Sequence, residues 1–118
     1  MLNNHKKLKY NQIKELKDLD IKLDDLFNKT SKTFERRSFA NIAAILNRRD
    51  SYFNLIAEKM EKQVARTRTE ETSPKNTTLY FSLLTESKDM IQASLKLLEL
   101  YYIEHDSSVE PARVEKEQ

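Results

Sequence analysis

Asp50 lies between Leu46 and Phe53, inside a run of apolar residues (Phe39, Ile42, Ala43, Leu46, Phe53, Ile56, Ala57, Met60 and Val64) that recur at helical spacing. A charge on such a stripe needs a partner, because an unpaired buried charge is very costly. One partner would be a hydrogen bond or ion pair, for instance a Tyr hydroxyl or a Lys from another helix. The other would be a hard cation, since facing carboxylates in helical cores bind such ions. Asp20 raises the same question at the edge of an earlier stripe. Glu86 and Asp89 form an acidic pair, but Ser87 marks the centre of their helix's apolar face, so both point away from it and read as solvated.

Two histidines, His5 and His105, lie near opposite ends of the chain. Three antiparallel helices would hold them at opposite ends of the molecule, so no histidine-based catalytic pair is expected. Arg36-Arg37 and Arg48-Arg49 are small basic clusters suited to solvent or to a phosphate or anionic head group. Tyr101-Tyr102 reads as core plus rim, with a hydroxyl reaching water, or as an interface patch.

Composition removes other chemistry. With no Gly there is no phosphate-binding glycine loop, dinucleotide fingerprint or nucleophile elbow. With no Cys there is no disulfide, thiolate zinc site or thiol nucleophile. A net charge of +2 is too small to argue for nucleic acid. No apolar run approaches a membrane span, and none follows the N-terminal residues as a signal peptide would require. We therefore expect no enzyme activity, cofactor or small-molecule substrate.

Three periodic segments must position these residues. The first runs from about Leu8 to Phe34, with Ile13, Leu16, Leu23, Phe27 and Phe34 on its stripe and Leu19 and Leu26 widening it. Asp18–Lys22 and Asp25–Lys29 are acid-first pairs on an exposed face. The second runs from Phe39 to Thr69, with Ser38 as its N-cap. The boundary between them lacks Gly and Pro, so one continuous helix is the competing reading. Ser73-Pro74 marks the third start, as N-cap and first helical residue. That segment reaches His105, with Tyr80, Leu83, Leu84, Met90, Ile91, Leu97, Leu98 and Tyr101 on its face. The small Ser87 and Ser94 in mid-face would admit a close neighbour.

Short connections make neighbours antiparallel. The predicted fold is all-α: an up-down-up antiparallel three-helix bundle over residues 1–105, followed by a mobile charged tail over 106–118. Phe81, Leu95, Leu100 and Ile103, with Ile45, Tyr52 and Leu55, fall beside the main stripes. They either broaden the core or form a second face, and a second face predicts self-association or docking on a partner.

The run from Phe39 to Ile56, with Asp50 about a dozen residues in, resembles the second helix of PhoU-like domains. The run from Leu79 to Ile91 resembles the helix that carries that family's acidic motif. The similarity spans Leu16 to Tyr102, one three-helix unit. A single unit is similar to the soluble C-terminal domain of bacterial sodium/phosphate cotransporters. The resemblance implies a non-enzymatic regulatory or accessory domain in phosphate transport. It would sit at the cytoplasmic face of the membrane, with the transporter membrane domain and a second copy of itself as partners. The family's metal motif places an acid four residues before an Asp, whereas Thr85 stands four before Asp89 and Met90 four after Glu86. The expectation is no stoichiometric transition metal. Asp50, Glu86 and Asp89 are the residues the resemblance would assign to a site. The alternative is a free-standing helical adaptor or coiled-coil protein unrelated to phosphate.

Overall fold

The structure is a computed structural model that describes residues 8–69 and 72–105, the side chains of Phe39 and His105 excepted. His5, Glu70, Glu71 and the tail from Asp106 to Gln118 lie outside the described residues. Four helical segments follow one another: α1 (Tyr10–Arg36), α2 (Phe39–Leu46), α3 (Arg49–Thr69) and α4 (Pro74–His105). No strand occurs among the described residues, so the expected all-α class holds.

The first boundary is made without glycine. Arg37 adopts the left-handed conformation, φ 52° and ψ 46°, and its N–H donates to the Thr33 carbonyl. That geometry usually falls to Gly, because a Cβ there costs roughly 1–2 kcal/mol. The continuous-helix reading is thereby excluded. Ser38 holds the N-cap position of α2 in extended conformation, but its side chain makes no capping bond. Ser73 does cap α4: its hydroxyl accepts from the Asn76 amide at 3.0 Å.

The second predicted helix divides at Asn47-Arg48. The Arg48 amide donates to the Ile45 carbonyl at 3.0 Å, a three-residue step that tightens the turn. Asn47 keeps right-handed angles, φ −67° and ψ −14°, so α2 and α3 form one kinked rod.

Side-chain contacts give the directions of the rods. Gln12 near the start of α1 bonds Asn76 near the start of α4. At the far end Phe34 packs edge-on against Tyr101, ring centroids 4.7 Å apart. The kinked rod runs the other way: Arg49 at the start of α3 meets Glu99 late in α4 at 2.9 Å, and Gln63 late in α3 meets Gln12 and Thr77.

The buried residues alternate in steps of three and four: Leu19, Leu23, Leu26, Thr30 and Thr33 on α1, and Tyr52, Ile56, Lys59, Gln63 and Arg66 on α3. That 3.5-residue average is the seam of helices packed at shallow angles. Their apolar members, Leu19, Leu23, Leu26, Tyr52 and Ile56, form one core with Ile42, Ile45, Tyr80, Leu84, Ile91, Leu95 and Leu98. The seam differs from the predicted stripes in phase. Leu19 and Leu26 are central rather than flanking, whereas Ile13, Leu16, Phe27 and Phe34 are half-buried. Ile45, Tyr52 and Leu95, which lay beside the predicted stripes, broaden the core, while Ala57, Val64, Met90 and Leu97 face outward.

A buried polar cluster and an outer apolar face

Asp50 is exposed, in the first turn of α3. Its expected placement on a buried stripe is corrected: the buried positions are Ile42, Ile45, Tyr52 and Ile56, at steps of three, seven and four, and Asp50 falls on the outward side of that seam. Glu86, Asp89 and Asp20 are exposed as well. Asp50 lies beside Arg49, level with Glu99, and Glu86 lies thirteen residues earlier on α4, about 20 Å away along the axis. The structure therefore does not bring Asp50, Glu86 and Asp89 together. Among the described residues no group of three His, Cys, Asp or Glu side chains is arranged to hold a metal ion.

The arginine pairs separate. Arg49 turns to Glu99 and stacks over the Phe53 ring, 5.8 Å from its centroid. Arg37 closes α1 through its backbone, and Arg36 and Arg48 flank one groove. Lys29 is held by Asp25 at 2.9 Å, and that bond pulls the Asp25 carboxyl below its ordinary range. Tyr101 and Tyr102 are both half-buried against the core.

The most organised chemistry lies where the starts of α1 and α4 meet the end of α3. Gln12 and Gln63 are completely buried, and Asn76 nearly so. The Gln12 amide donates to Gln63 Oε1 at 2.9 Å and to Asn76 Oδ1 at 2.8 Å, and Asn76 Nδ2 donates back to Gln12 Oε1 at 2.8 Å. Gln12 Oε1 also accepts the Lys9 backbone amide at 2.9 Å, which closes the start of α1. Gln63 Nε2 donates to Thr77 Oγ1 at 3.1 Å. Arg66 donates to Gln63 Oε1 at 2.7 Å and pairs with Glu15, which also accepts the Tyr80 hydroxyl. The Arg66 guanidinium sits 5.8 Å from the centroid of the Tyr80 ring.

Each amide thus has its partners only when three helices stand in one axial register. A shift by one turn would bury polar groups unsatisfied, at about 1–3 kcal/mol apiece. Burial pushes the Tyr80 hydroxyl well above the usual phenol range, and the Glu15 carboxylate reinforces it. Of these residues only Tyr80 lies on a predicted stripe, because the stripes were drawn through apolar and aromatic side chains. The signal that finds them is the spacing of Gln12, Leu19, Leu23 and Leu26, and of Ile56, Gln63 and Arg66, once polar seam positions are admitted. Asn76 also opens an Asn76-Thr77-Thr78 glycosylation sequon, but its side-chain amide is buried and engaged.

Outside this cluster α4 carries an apolar strip. Met90, Leu97 and Leu100 are about half exposed, at 47%, 52% and 50%. With exposed Ala93 they recur at three and four residues, which sets them on one side of the helix. Met90 joins the strip to a shallow groove of about 420 Å³ between α1 and α4, lined by Leu8, Leu16, Leu23 and Leu83, with Glu86 and Asp20 at its edges. Among the described residues no helix is long and apolar enough to cross a membrane. No family model, curated protein or solved structure matches the chain.

Proposed function

We propose that the chain is a non-enzymatic regulatory or accessory domain that works by helix-mediated contact. Its fold is of the PhoU-like up-down-up kind, and it serves a sodium/phosphate cotransporter at the cytoplasmic face of the membrane. The observation that carries the contact reading is the strip of Met90, Leu97 and Leu100 with its adjoining groove. The core is already closed by Leu84, Ile91, Leu95 and Leu98 on the opposite side of the same helix, so the exposed half of the strip is not needed to close it. Contiguous exposed apolar surface is the usual mark of an interaction site. The phosphate-transport part of the reading rests on the resemblance of the runs Phe39–Ile56 and Leu79–Ile91 to PhoU-like helices.

The proposed partners are a second copy of the chain and the transporter membrane domain, both engaging this side of α4. Co-expression with the membrane domain of a sodium/phosphate cotransporter tests the pairing. The chain is expected to co-purify with it and to change phosphate uptake, and Leu97→Asp with Leu100→Asp to abolish both effects. Uptake that is the same with the chain, without it and with the variant would refute the transporter reading.

A further inference from the structure

Between Asn28 and Arg49 the sequence holds six basic residues and one acidic residue, in a chain whose net charge is only +2. The fold collects this excess. Lys29, Lys32, Thr33 and Arg36 lie at steps of three, four and seven on α1, and Asn41, Ala44, Ile45 and Arg48 repeat those steps across the α2 kink. The two rows face one another over a groove of about 240 Å³. Its floor, Thr33 and Ile45, is buried and neutral. Its walls are four cations, and no acidic side chain lines it.

Along the helices the surface pairs its charges four residues apart, as in Glu58–Lys62 and, at the groove itself, Asp25–Lys29. The other three groove cations lack such a partner. The residue four before Lys32 is Asn28, four before Arg36 is Lys32, and four before Arg48 is Ala44. Asp25 binds Lys29 and also acts on Arg48 through space. Among the described residues Lys32, Arg36 and Arg48 have no ion pair. Asn41 lines the groove from the first turn of α2, its backbone amide bonded to the Ser38 carbonyl at 3.2 Å. Small, exposed Ala44 leaves the approach open.

We infer that this groove binds a phosphate-bearing anion of charge −2 or more. Arg36 and Arg48 are its fork-shaped donors from opposite walls, and Lys32 supplies a point charge. Two sources carry that chemistry, a free phosphate compound and a phospholipid head group. The inference does not depend on what covers α4.

The test is amide-resolved NMR titration of the full chain with inorganic pyrophosphate at low salt, beside co-sedimentation with phosphatidylcholine vesicles with and without a phosphatidylinositol bisphosphate. In the free-anion case pyrophosphate moves the amides of Thr33, Asn41, Ala44 and Ile45, and affinity falls about tenfold in Arg36→Gln and in Arg48→Gln. In the head-group case only the anionic vesicles bind the chain, and the same substitutions release it. These side chains are exposed, so the variants keep the fold, which circular dichroism verifies. Lys62→Gln, a cation on α3 outside the groove, leaves affinity unchanged in either case. Loss of binding in Lys62→Gln equal to that in Arg36→Gln would reduce the effect to general basic charge and overturn the inference. Failure of both pyrophosphate and anionic vesicles to bind would also overturn it.

Discussion

Replacing Glu15 by Ala puts the buried polar cluster under the sharpest strain. Glu15 accepts from Arg66 and from Tyr80, so its loss leaves a guanidinium and a phenol without their acceptor. Breaking a fully buried ion pair from one side costs about 3–5 kcal/mol. Here the two side chains keep 10% and 14% of their surface in water, which admits some rescue by solvent and lowers the expectation to about 3 kcal/mol. For a domain of this size that is a fall in Tm of about 15 °C. Urea denaturation followed by far-ultraviolet circular dichroism reads the change. The paired variant Glu15→Met with Arg66→Met separates a cost of orphaned charge from a general loss of packing. It removes both charges and keeps much of the volume, so it is expected to be less destabilised than Glu15→Ala alone. A double variant as unstable as the sum of the singles, or a Glu15→Ala loss under about 0.5 kcal/mol, would refute the reasoning.

Ser73→Ala removes the cap on the Asn76 amide and should cost about 1 kcal/mol in the same assay, because α4 then starts with an unsatisfied donor. Leu84 is fully buried whereas Phe53 is half-buried under Arg49. Leu84→Ala should cost roughly 2–5 kcal/mol, and Phe53→Ala less than the roughly 3–5 kcal/mol of a fully enclosed aromatic ring. Folded Tyr80 keeps its proton above the pH, near 10, at which a free tyrosine loses it. Unfolding then releases a proton, so the stability tied to this group is complete below about pH 10 and drains away as pH rises further. Tyr80→Phe should flatten that alkaline decline in thermal melts taken across the range.

The periodicity of the chain made the helical class legible, and Ser73-Pro74 made the third start legible to the residue. The break after α1 was legible only in position. A left-handed Arg37 has no signature in a sequence where Gly usually marks such a turn. The kink at Asn47-Arg48 was not legible at all, since neither residue is a breaker. Asp50 was aligned with Leu46 and Phe53, which are only half-buried, whereas the seam runs through Ile42, Ile45, Tyr52 and Ile56, and that difference of phase leaves Asp50 solvated. The seam itself was misread at its polar end. Hydrophobic spacing favoured Ile13 and Leu16, while the inward positions belong to Gln12, Gln63 and Arg66. Polar residues occupy a seam when they satisfy one another, and their partners lie 51 and 64 residues away in sequence. The two arginine pairs were singled out as candidate anion sites, but only the fold shows that one member of each joins the groove.

The proposed function requires a partner over the outer side of α4. Sedimentation equilibrium of the chain at micromolar concentration, with and without Leu97→Asp and Leu100→Asp, tests it most directly. The account predicts a dimer that becomes a monomer in the variant while helicity is unchanged. A chain that is monomeric throughout, or a dimer indifferent to both substitutions, would contradict it.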